Sequence, residues 1–67
     1  MEKGWVKIYI TNKPHIVTIV QELLEENDIE SVEIPKGDST LTFGDSEIFV
    51  RQEHEERARM IIKVNNL

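Results

Sequence analysis

The apolar positions of this chain change period several times along its length. From Trp5 to Thr11 they alternate, with Val6, Ile8 and Ile10 on one side and Trp5, Lys7, Tyr9 and Thr11 on the other. That is strand spacing. From Ile16 the period lengthens, and Ile16, Ile19, Val20, Leu23 and Leu24 recur as a helical stripe with Val17 at its margin. Asn12 suits the cap of this helix, and Pro14 suits its first turn, where a missing N–H costs little. Asn27-Asp28 tolerates the left-handed conformation that ends a helix. Alternation returns from Ile29 to Ile34, which predicts Val32 and Ile34 inward and Ser31 and Glu33 outward.

Pro35-Lys36-Gly37-Asp38-Ser39 is loop chemistry. Residues 40–43 have the pattern of a short strand, which Gly44-Asp45 can turn into a further strand over Ser46–Arg51. There Ile48 and Val50 are predicted inward, with Glu47, Phe49 and Arg51 outward. A second helix is expected from about Glu53 to Val64, burying Ala58, Ile61 and Ile62, with Val64 as a further candidate for the stripe. Its acids Glu53, Glu55 and Glu56 lie near the positive end of the dipole, and Arg59 and Lys63 further on. Asn65-Asn66-Leu67 reads as a frayed tail.

A strand-to-helix unit thus occurs twice, with a strand between. The pattern predicts one α+β domain over residues 1–67. It is a ferredoxin-like partial sandwich of order β-α-β-(β)-β-α, with three or four strands and both helices on one face. A right-handed crossover is expected to set the last strand beside the first and parallel to it. A full ferredoxin-like sheet carries one more strand on the free edge of the first, so that edge is open to pairing.

Composition narrows the picture. A chain of 67 residues buries only about 60% of the surface its unfolded form exposes. With no cysteine there is no disulfide to compensate, so a homodimer is the expected source of further stability. No basic-then-apolar leader and no run of about 20 apolar residues is visible. The expectation is therefore a cytoplasmic chain with no membrane contact. The net charge is −5, and between Pro14 and Pro35 there are six acids and no Lys or Arg. A surface of that sign repels phosphate backbones, so nucleic acid is a disfavoured partner.

Candidate chemistry is confined to the outward strand positions. If the aliphatic residues face the helices, Trp5, Tyr9 and Phe49 share the uncovered face, with Lys7 and Arg51 as polar neighbours. An exposed aromatic cluster marks an interaction site, and these five are the candidate binding residues. The occupants it suits are a protein partner, a small metabolite or a second copy of the chain. No catalytic residue is singled out. Glu53-His54-Glu55-Glu56 lacks the second histidine of a zinc-protease helix, and His15 and His54 lack ligand spacing. Gly37 and Gly44 belong to no phosphate-binding loop. No metal, no cofactor and no enzymatic activity is expected.

Three stretches carry a resemblance. They are Lys7-Ile8-Tyr9-Ile10-Thr11, Leu23-Leu24-Glu25-Glu26-Asn27-Asp28-Ile29, and Ile48-Phe49-Val50 through Glu56-Arg57-Ala58-Arg59. With them the chain resembles a family of short bacterial domains called putative prokaryotic signal-transducing proteins. Asp28 stands where that family usually has glycine, and Arg51 where it usually has proline. The resemblance implies a non-enzymatic regulatory or signal-transducing domain, and no functional residue is carried over from it. The alternative is a purely structural homodimeric module with no small-molecule ligand.

Overall fold

A computed structural model describes residues 3–36 and 44–67. The strand expected over 40–43 lies outside the described residues. The elements are β1 (Trp5–Thr11), α1 (Pro14–Glu26), β2 (Ser31–Pro35), β3 (Ser46–Arg51), a 3-10 turn (Gln52–His54) and α2 (Glu55–Val64). The three strands form one sheet in the order β1-β3-β2. This is an α+β fold consistent with a small ferredoxin-like domain. The expected parallel pairing of β3 with β1 is corrected, because β3 is antiparallel to both its neighbours. The helical crossover through α1 joins β1 to β2, making those two parallel. β3 then returns from β2 and slots between them.

Both helices pack on one face of this sheet. The core is Ile8 on β1, Val17, Val20 and Leu24 on α1, Ile29 in the connection to β2, Ile48 and Val50 on β3, and Ala58 and Ile62 on α2. Val17 lies at the centre of the α1 stripe rather than its margin, since the buried residues step 17, 20, 24. Ile19 is correspondingly exposed. Pro14 opens α1 as expected, but the cap position is Lys13, without a side-chain cap. The Thr11 hydroxyl instead accepts from the Lys13 N–H at 3.2 Å.

Both α-helices end the same way. Asp28 takes φ 61°, the Ile29 N–H donates to Leu24 O at 2.9 Å, and the Asp28 N–H donates to Glu25 O at 3.0 Å. Asn66 takes φ 59°, the Leu67 N–H donates to Ile62 O at 3.1 Å, and the Asn66 N–H donates to Lys63 O at 3.1 Å. Each pair is a Schellman motif. The frayed tail is therefore corrected: Leu67 folds back and packs against the core.

Asp28 bears the left-handed strain of a side chain with a Cβ, and its charge opposes the negative end of α1. Asp28→Gly is expected to raise stability by about 1 kcal/mol. In a chain of this size that is a rise in Tm of about 4–8 °C, readable by thermal circular dichroism. A fall in Tm would show that the Asp28 side chain contributes more than its backbone strain costs.

Candidate binding face

The face of the sheet away from the helices carries no element among the described residues. Its occupants follow from the pairing register, because residues directly opposite on antiparallel strands point to the same side. Trp5 stands opposite Arg51 and Lys7 opposite Phe49. Across the other ladder, Val32 stands opposite Phe49 and Ile34 opposite Glu47.

Between Lys7 and Tyr9 the β1 register shifts, leaving Ile8 without a partner in β3. A bulge of this kind inserts one residue and reverses the strand's alternation beyond it. Tyr9 consequently stands opposite the buried Ile48, and Ile10 opposite Glu47. Tyr9 packs against the core, while Ile10 is 42% exposed. The expected placement of Tyr9 with Trp5 and Phe49 is thereby corrected. Trp5, Lys7, Phe49 and Arg51 do share the bare face.

The phase of β2 is corrected as well. Ser31 rather than Val32 turns toward α1, where the Gln21 side-chain amide donates to its hydroxyl at 3.3 Å. Val32 and Ile34 therefore join Phe49 on the open side. The face thus holds an apolar centre of Phe49, Val32 and Ile34, with Trp5 and Ile10 on the β1 flank. Val32, Ile34 and Ile10 were missed as face residues in the sequence, whereas Glu47 is outward as expected. One signal points to them: Ile29 is inward, so Ser31 and Glu33 follow it in parity and Val32 and Ile34 oppose it.

Charge on this face has the opposite balance to the chain. The Arg51 guanidinium lies 4.8 Å from the Trp5 ring centroid, a cation–π distance. Glu47 accepts from Lys7 Nζ at 3.2 Å, and Lys36 Nζ lies 4.0 Å from the same oxygen. Lys7 and Lys36 thus flank Glu47 and Arg51 lies over Trp5, placing three cations beside the apolar centre. The acid-rich segment of α1 lies in the other layer.

Two cavities lie off this face and a third borders it. One of about 470 Å³ sits at the end of α1 and the start of β2, lined by Gln21, Glu25 and Ser31 among others. A second, of about 220 Å³, lies among Glu22, Glu25 and Glu26. A third, of about 240 Å³, runs along β1 from Lys7 to Ile10 beside Arg59. Among the described residues no three His, Cys, Asp or Glu side chains gather where they could hold a metal ion. Nor is any described helix long and apolar enough to cross a membrane.

A family model described as "Putative prokaryotic signal transducing protein" matches residues 5–66. Neither a curated protein nor a solved structure matches the chain.

Proposed function

Because the chain belongs to the family of putative prokaryotic signal-transducing proteins, we propose that it is a cytoplasmic signalling domain that works by binding rather than catalysis. Its binding surface is the bare sheet face, and its occupant is another protein presenting an apolar patch with an acidic rim. The observation that carries this reading is the composition of the face. Phe49, Val32, Ile34, Ile10 and Trp5 form an apolar surface flanked by Arg51, Lys7 and Lys36. Apolar patches rimmed by polar groups are the usual mark of a protein contact.

Shape supports a protein over a metabolite. Small-molecule sites are concave, and the two cavities beside α1 lie off this face, while the third meets it only at its β1 border, at Lys7 and Ile10. Charge supports an acidic rim on the partner, since complementary potentials guide encounter and suppress wrong pairings.

Trp5 is the only tryptophan, so its indole N–H gives one peak that reports on the face. In a ¹⁵N–¹H spectrum, acidic amphipathic peptides are expected to shift that peak saturably, together with the Lys7, Val32 and Phe49 amides. A panel of nucleotides and common metabolites is expected to leave it in place. A saturable shift with a metabolite instead would make the chain a small-molecule sensor. Silence from both panels, with the Trp5 peak moving only on dilution, would make the face the seam of a structural homodimer.

A further inference from the structure

Among the described residues the outer edge of β1 carries backbone groups that no strand pairs. The Gln52 N–H donates to Gly4 O at 2.7 Å. Carrying the antiparallel alternation forward from that bond makes Val6–Val50 a hydrogen-bonded pair and Trp5–Arg51 and Lys7–Phe49 non-hydrogen-bonded pairs. The backbone N–H and C=O groups of Trp5 and Lys7 therefore point away from β3, out of the sheet. One of them has found a substitute. Arg59 Nη2 on α2 donates to Lys7 O at 3.1 Å, while the Glu55 carboxylate holds the same guanidinium at 3.0 Å.

We propose that this edge pairs antiparallel with β1 of a second copy of the chain, with Arg59 as the latch that must swing aside. This concerns the edge and does not depend on the bare face binding a protein. The register follows from the residues. Pairing Lys7 with Lys7 of the second copy would set like charges directly opposite, which is destabilising. Centring on Trp5 would bring in Gly4, whose φ of 95° is not extended, and beyond Lys7 the bulge breaks the ladder. A two-fold axis through Val6 avoids all three. It pairs Trp5 with Lys7 of the second copy and Lys7 with its Trp5, using all the outward groups of both residues.

The side chains agree with that register. On the bare face each indole meets a lysine ammonium, an attractive pair. On the helix side, half-buried Val6 meets Val6 on the axis. The acid-rich part of the surface would repel a second copy and lies away from this edge. The six acids between Pro14 and Pro35 belong to α1, β2 and their connection, and β2 is the opposite edge of the sheet. The β1 edge instead offers Lys7 and the Arg59–Glu55 pair. Two copies joined here would form a six-stranded sheet with one continuous bare face.

Sedimentation equilibrium of the full chain at roughly 10–1000 µM tests this, a range suited to a small contact. The wild type is expected to associate weakly to a dimer. Arg59→Ala, which frees Lys7 O, should tighten the dimer by about five- to tenfold, the scale of one exposed charge-assisted hydrogen bond. Lys7→Pro removes an outward N–H without touching the ladder to β3 and should abolish the dimer, with folding checked by circular dichroism. Should Lys7→Pro fail to fold, protection of the Trp5 and Lys7 amides from hydrogen exchange at high concentration decides the same point. A monomer in both wild type and Arg59→Ala overturns the proposal. So does a dimer that survives Lys7→Pro but is lost in Phe49→Ser, which would place the contact on the bare face.

Discussion

Ile48→Ala is expected to remove about 3–4 kcal/mol of folding stability, between about a third and all of what a chain of this size has. Ile48 is fully buried at the centre of β3, the middle strand of three. It faces Tyr9 across one ladder and Glu33 across the other, with the helices above. Removing its three outer carbons gives up their transfer free energy and leaves a cavity, together about 3–4 kcal/mol. A chain of this length has only about 3–10 kcal/mol of stability to lose, at roughly 0.05–0.15 kcal/mol per residue. Far-UV circular dichroism and urea titration read the effect directly. Val64→Ala is the control: Val64 is 69% exposed on α2, and its truncation is expected to change stability by no more than about 0.5 kcal/mol. If Ile48→Ala unfolds at nearly the wild-type urea midpoint, β3 is not the centre of the core.

The sequence carries the element types and their order because those depend on local period. The strand over Trp5–Thr11, the helix before Asn27-Asp28 and the strand over Ser46–Arg51 each survive in the fold. The left-handed stop at Asp28 was legible for the same reason: a short polar side chain tolerates that backbone. Strand phase was not legible wherever it is decided at a distance. Taken alone, Ser31-Val32-Glu33-Ile34 alternates equally well either way up; beyond the parity of Ile29, the choice rests on Gln21 reaching Ser31 and on the register with Phe49. The Ile8 bulge is likewise invisible in Lys7-Ile8-Tyr9-Ile10, where every residue suits a strand. Leu67 was unreadable because its place depends on a fold-back to Ile62 across a left-handed Asn66.

That bulge has a direct experimental consequence in the contrast between Tyr9 and Phe49. A regular β1 would put both rings on the bare face, so truncating either would cost little stability and damage binding alike. With the bulge, Tyr9 packs under the helices and Phe49 stays outside. Tyr9→Ala should therefore cost about 2 kcal/mol of folding stability, the lower end for a large side chain that is only half-buried. Phe49→Ala should cost less than about 1 kcal/mol, since only its strand neighbours lose contact. Binding at the face should show the reverse order. Phe49 lies at its centre, where truncation of an aromatic anchor removes more than 1 kcal/mol of affinity, about tenfold or more. Tyr9→Ala, once folded, should bind the same acidic peptides within about twofold, well under 1 kcal/mol. Urea midpoints and the Trp5 indole titration give both orders on the same samples. Were Phe49→Ala the more destabilising and Tyr9→Ala the weaker binder, β1 would run without the bulge and the aromatic face would be the one its alternation predicts.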